Sequence, residues 1–286
     1  MPVRQLLIVT TLIFTIIILI GSCLAGLLGS LTGLGGGFVI IPLLTLLLNV
    51  DIHYAIGASL VSVIATSSGS AAAFVKEGIT NLRIGMFLEI ATTAGALCGA
   101  MVAVFLPTNY IAVLFGCILI VSAILSFREK TEKIAREQSS FAEKLRLNSS
   151  YPVNGSTVAY SVTKVGWGFL MMIFAGLISG LLGIGSGALK VIAMDSIMRI
   201  PFKVSTTTSN FMIGVTAAAS AVVYLQRGYI SPGLSMPVVI GVLAGAFVGS
   251  KILVHSTSSK WLRYVFAVVI TILAVQMIYH GLNRTI

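Results

Sequence analysis

Few residues in this long apolar chain are equipped to act on a ligand. Lys190 stands three positions beyond Gly187, and Glu89 lies well within another apolar run. Ionisable side chains at membrane depth are costly and are functional candidates by default. Lys190 would draw an anion to its ammonium group, and Glu89 would carry a coupling proton. The competing readings are that Lys190 reaches the interface or pairs with a carboxylate such as Asp195, and that Glu89 simply sits at the interface. The second resource is backbone. Gly33, Gly35, Gly36 and Gly37 fall within five residues, and Gly183, Gly185, Ser186 and Gly187 repeat the pattern. Glycine costs roughly 1 kcal/mol in a helix interior relative to alanine, so each block should break a helix. The short helices beyond the breaks would turn free N–H groups and a positive dipole end toward an anion. Ser59, Thr66, Ser209 and Asn210 are spaced to line the same place, or else their side chains bond to their own helix one turn back.

The elements that must hold these groups are transmembrane helices. The 286 residues are 57% hydrophobic and 9% charged, with a mean hydropathy of +1.05, whereas a soluble domain carries about 25% charged residues. A membrane-crossing helix needs about 20 mainly apolar residues. Runs of this kind occupy residues 6–28, 55–75, 84–106, 110–127, 166–182, 205–225, 234–254 and 262–277. The fold class expected is all-α, a polytopic membrane protein of about eight transmembrane helices plus short re-entrant or broken helices. The net charge of +10 comes from basic residues in the connections, so no nucleic acid partner is needed to explain it. Cys23, Cys98 and Cys117 lie in apolar runs without paired spacing, which gives neither a disulfide framework nor a metal site. Arg4 and the apolar stretch before Cys23 loosely resemble a secretory signal. The pattern continues through Cys23 into the glycine block, so this segment reads as a retained first span.

The chain also matches itself at an offset of 150 residues. Gly26, Gly33, Gly35, Gly37, Gly78, Gly95 and Gly99 fall on Gly176, Gly183, Gly185, Gly187, Gly228, Gly245 and Gly249. Chance predicts about one or two such coincidences, so the sequence reads as two homologous repeats. Ser59, Thr66 and Ser70 likewise fall on Ser209, Thr216 and Ser220, whereas Lys190 falls on Ile40. The expected organisation is a first transmembrane repeat at 1–127, a basic linker at 128–163 and a second repeat at 164–286. The linker, with Arg128, Lys130, Lys133, Arg136, Lys144 and Arg146, is expected on the cytoplasmic side, partly as an amphipathic helix over 129–147. Apolar stretches of about 13 residues follow each glycine block, too short for a straight crossing. If they are re-entrant, each half has four spans, the repeats are parallel, and both termini and Arg227 share the linker side. If they cross, each half has five and the repeats are inverted.

The twin blocks from Gly26 to Pro42 and from Gly176 to Gly187, each followed by small and polar spans and a Gly-Ala-rich helix (95–100 and 245–250), resemble the sulfite exporter TauE/SafE family, also known as toluene-sulfonate uptake permeases. The resemblance covers nearly the whole chain. It implies a multi-pass protein of the prokaryotic inner membrane that transports sulfite, sulfoacetate or other sulfonates. The second block departs from the first in having Ser186 for the middle glycine and Ile192 in place of proline, which makes the two half-sites unequal.

The functional expectation is a secondary transporter exporting sulfite or a related sulfonate, with a small anion and the lipid bilayer as its partners and no cofactor. No Walker A sequence is present, so the driving force would be an ion or proton gradient. A passive anion channel is the alternative. An intramembrane enzyme would need a nucleophile with a base or paired carboxylates, and His53, His255 and His280 all lie near helix ends with no HExxH or GxSxG motif.

Overall fold

The computed structural model of the chain describes residues 2–32, 36–76, 78–126, 140–153, 156–255 and 259–283. Gly33, Gly35 and the linker's Arg128, Lys130, Lys133 and Arg136 lie outside the described residues. The described residues are mostly helical. In the first half run α1 (Pro2–Thr32), α2 (Gly37–Pro42), α3 (Ile52–Lys76), α4 (Leu82–Phe105) and α5 (Thr108–Ser126). A short helix α6 (Ser140–Lys144) and two strands, β1 (Ser149–Val153) and β2 (Ser156–Tyr160), occupy the linker. The second half holds α7 (Val165–Leu182), α8 (Gly187–Ile192), α9 (Phe202–Gln226), α10 (Pro232–His255) and α11 (Ser259–Leu282). Both α2 and α8 continue into π-helical turns, Leu43–Leu47 and Ala193–Ile197. The pairs α2 and α8, α3 and α9, and α4 and α10 each begin 150 residues apart.

Within the described residues each apolar run read from the sequence lies on a helix, apart from Leu106 just beyond α4. Among the described residues, windows in α1, α3, α4, α7 and α9 are long and apolar enough to cross a membrane, while the apolar parts of α5, α10 and α11 are shorter. The chain is a multi-pass membrane protein. Large apolar side chains such as Met86, Phe105, Trp167 and Phe247 are exposed on the outer surface, as lipid-facing positions are.

Tight helix pairs form where backbone meets backbone. A side chain at Gly176 or Gly180 of α7 would strike the carbonyl of Thr92 or Ala96 in α4, and one at Gly95 or Gly99 of α4 would strike that of Ile173 or Leu177. These contacts advance together along both helices, so α4 and α7 run parallel. The same closeness pairs α1 with α10, where Gly26 meets Val242, Gly241 meets Leu19 and Gly245 meets Cys23. Lipid supplies no hydrophobic drive between helices, so close van der Waals approach through small residues must hold them together. Gly249 lies in α10, but its surroundings are not among the described ones.

The helix ends fall into two groups. At one end α4 begins beside the linker, where Asn81 Oδ1 accepts from the Ile84 N–H at 3.1 Å as an N-cap. Its Nδ2 donates to Leu147 O at 3.2 Å and to the Tyr160 hydroxyl at 2.8 Å. At the other end His53 of α3 meets the Ala103 carbonyl of α4 at 3.1 Å, and Tyr229 stacks on His53 with centroids 4.9 Å apart. Arg227 lies over the Phe105 ring at that same end. Arg227 is therefore opposite the linker end, not beside it as the eight-span reading required.

The second glycine block makes a hairpin. The N–H of Thr163, just before α7, donates to Met198 O, just after α8 and its π turn, at 3.1 Å. The chain thus rises through α7, turns at 183–186 and returns to the linker end. Gly21 of α1 packs against Leu43 beyond α2, so the first half folds back on itself as well.

The linker corrects the all-α expectation. β1 and β2 pair antiparallel, with Tyr151 opposite Val158. The sequence signal was Asn154-Gly155, the pair most favourable to a two-residue hairpin turn, between two β-prone segments. Leu147, Tyr151, Tyr160 and Val162 are buried against Ile84 and Leu88 of α4, Val165 of α7 and Met198. Of the amphipathic helix expected over 129–147, residues 127–139 lie outside the described ones and only Ser140–Lys144 is helical.

Close packing predicts a sharp contrast between two glycines of one helix. Gly180→Leu should destabilise the protein by about 1–3 kcal/mol or more through overpacking against α4, read as a lower melting temperature in detergent. Gly166, which has open space around it, should accept alanine without loss.

Candidate functional site

In the second break, Gly183 (φ 66°), Gly185 (φ 73°) and Ser186 (φ 44°) adopt left-handed backbone. That geometry is cheap for the glycines and unusual for serine. The break needs these residues because α7 must reverse direction within four positions, 183–186, before α8 begins.

The start of α2 lies against the second break. Ser59 Oγ of α3 donates to Gly183 O at 2.9 Å, satisfying a carbonyl freed by the turn. A methyl group on Gly37 would stand 2.7 Å from that same Ser59 Oγ and 3.4 Å from Gly183 O. Ser209 Oγ of α9 donates to Gly187 O at 3.2 Å. Irregular backbone at membrane depth persists only where it is packed in protein or lines a cavity, and here serines from α3 and α9 do the packing. Gly36 is buried at the start of α2.

Lys190 is fully buried, one turn into α8, and does not reach the interface. Its Nζ donates to Thr216 Oγ1 of α9 at 2.5 Å. Thr216 Oγ1 in turn lies 2.7 Å from Glu89 Oε1 of α4 and donates to it. Thr93 Oγ1 donates to the same Oε1 at 3.1 Å. The result is an ammonium, a hydroxyl and a carboxylate in line, drawn from three helices and closed away from water. Glu89 Oε2 is buried and accepts no hydrogen bond, and Ser186 Oγ and Ser179 Oγ beside the turn are also buried and unbonded. Such groups are rare in folded proteins; Glu89 is bridged through Thr216 to the Lys190 ammonium, and Ser179 and Ser186 flank the second helix break.

Two expected site residues stand apart from this line. Thr66 Oγ1 donates to Ser62 O and Val63 O of its own helix, and Asn210 is half-buried on α9. At the 150-residue offset Lys190 of the second half falls on Ile40 of the first, and Glu89 of the first half falls on Val239 of the second, so each half gives one charge and the matching positions are apolar.

A family model described as sulfite exporter TauE/SafE matches residues 17–277. The chain belongs to the sulfite exporter TauE/SafE family. It is similar to the probable membrane transporter protein YunE of Bacillus subtilis, 29% identical over 277 residues covering 94% of this chain and 98% of that protein. YdhB of the same organism, also a probable membrane transporter protein, is 28% identical over 235 residues, 82% of this chain and 89% of YdhB. The probable membrane transporter protein MJ0441 of Methanocaldococcus jannaschii is 24% identical, covering 93% of this chain and 96% of its own length. No solved structure matches. A transporter family membership points away from catalysis.

Thr216 is the functional candidate that sequence reasoning did not single out. Serine and threonine recur throughout α3 and α9, and only the placement of Glu89 and Lys190 on either side distinguishes this one. The pair of charges predicts non-additive energetics. Lys190→Met alone leaves a buried carboxylate uncompensated and should cost about 3–5 kcal/mol, whereas Glu89→Gln with Lys190→Met should recover most of the loss. Thermal unfolding of the single and double variants checks this.

Proposed function

We propose that this chain is a secondary transporter that carries sulfite or a related sulfur-containing organic anion across the cytoplasmic membrane, driven by an ion or proton gradient. The observation that carries the reading is the fully buried Lys190 ammonium beside the second helix break, linked through Thr216 to Glu89. A buried cation with unspent hydroxyls nearby suits a small oxyanion, and a carboxylate within the same cluster suits a coupling proton. Gly33, Gly35, Gly36 and Gly37 with Gly183, Gly185, Ser186 and Gly187 form the backbone walls in this reading, and Ser59 and Ser209 brace them. Thr66 and Asn210 are assigned to the anion's path along α3 and α9. Sulfur as the substrate's element, and export as its direction, rest on the family.

The same reading takes the halves as inverted repeats, each crossing the membrane an odd number of times. Its support is the hairpin that starts and ends at the linker end, together with Arg227 at the opposite end. Arg83, Lys144, Arg146, Lys164, Arg199 and Lys203 cluster at the linker end, which by the positive-inside rule is cytoplasmic.

Purified protein in liposomes should carry radiolabelled sulfite or a sulfonate down an imposed gradient with saturable kinetics, and Lys190→Met should lower that flux by about a hundredfold. No flux of any such anion would refute the reading. For topology, an impermeant thiol reagent added to whole cells should label Arg227→Cys but not Ser149→Cys in a background without Cys23, Cys98 and Cys117. Labelling of both or neither would restore the eight-span arrangement.

A further inference from the structure

The order of groups in the buried cluster sets a rule for what can occupy it. Lys190 has an ammonium with three donors, of which the one toward Thr216 Oγ1 is taken. Thr216 passes its own hydrogen to Glu89 Oε1 or to the carbonyl of Met212, 2.8 Å away, but not to both at once. Glu89 keeps one oxygen, Oε2, buried and unbonded. Around Glu89, α7 offers no ionisable side chain, and α9 offers Thr216 at this depth. The other titratable groups of α9, Lys203 and Tyr224, are respectively exposed near its first turn and turned toward Leu181 O at 3.4 Å. Thr92 bonds to the backbone of α4 itself. Asp195, five residues beyond Lys190 in the π-helical turn, is half-buried, and Glu89 is the carboxylate that Thr216 bridges to the ammonium.

We propose that Glu89, Thr216 and Lys190 form one exchange site in which a singly charged oxyanion takes the place of the carboxylate charge, so that each anion enters together with one proton. This rests on the transport reading above and specifies its coupling. Empty, the site holds an ionised carboxylate and an ammonium and is neutral. Loaded, the proton has bound at Oε2 of Glu89, making a neutral carboxyl, while the anion pairs with Lys190 and accepts from Ser186; the site is again neutral. An anion without its proton, or a proton without its anion, leaves net charge buried at membrane depth, which the surrounding apolar helices penalise heavily. Thr216 is a positioning residue: its hydroxyl bonds to Glu89 in the empty site and turns to Met212 O in the loaded one. The cycle moves no net charge, so an inward proton gradient drives uptake, and export proceeds when the outward anion gradient exceeds it.

The test uses the full chain in liposomes with sulfite as the probe, presented at mildly acidic pH where it is singly charged. For the wild type, acid outside should drive concentrative uptake, the lumen should acidify in step with sulfite entry, and an imposed voltage should leave the rate unchanged. In Glu89→Gln, which holds the carboxyl position neutral, the ratio of sulfite exchange to proton-driven uptake should rise about tenfold or more. Sulfite should also raise that variant's melting temperature more than the wild type's, a binding readout that needs no transport. Thr216→Ser should keep the coupling and Thr216→Val should weaken it. Voltage-sensitive wild-type uptake, or unaltered proton-driven uptake in Glu89→Gln, overturns the coupling while leaving transport standing. A wild type that moves no sulfite overturns the transport reading and the coupling with it.

Discussion

Backbone polar groups have no water to turn to inside a bilayer, and each one left unpaired costs several kcal/mol. A chain that breaks two of its helices at membrane depth must therefore hide the breaks in protein. Here that is done with serines and with proximity. Ser59 and Ser209 bond to carbonyls of the second break and its following helix, and Gly37 sets the start of α2 against Gly183. The parallel pairs α1 with α10 and α4 with α7 make this possible, because their glycines let the backbones touch and hold both hairpins in place.

The same arrangement brings three chain-distant residues into line. Glu89 reaches the cluster from α4, Lys190 from α8 and Thr216 from α9. A buried ammonium and a buried carboxylate each pay a desolvation cost, and a shared hydroxyl lets one offset the other. An asymmetric site within a repeating sequence follows, since Ile40 and Val239 occupy the equivalent places and carry no charge. Each half supplies one of the two charges, Glu89 from the first and Lys190 from the second.

Much of the architecture was legible in the sequence because it depends on local properties. Hydropathy marked each long helix, and the dense glycines at 183–187 marked the turn between α7 and α8. Lys190 and Glu89 stood out as charges in apolar surroundings. What could not be read was pairing across the chain. Thr216 looks like any other threonine of α9, and its role depends on α4 and α8 arriving beside it. The hairpin at β1 and β2 was signalled by Asn154-Gly155 but overshadowed by the charge of the residues before it. The sidedness of Arg227 depended on whether α8 returns to the linker end, which the bond between Thr163 and Met198 supplies and no periodicity does.

The transport proposal requires a small oxyanion held by Lys190 between the second helix break and the start of α2. Cryo-electron microscopy of the protein in lipid nanodiscs with sulfite tests it directly. Density is expected within hydrogen-bonding distance of Lys190 Nζ and Ser186 Oγ, enclosed by Gly37 and the turn at Gly183–Gly187. Sulfite bound elsewhere, with Lys190 still engaged only by Thr216, would contradict it.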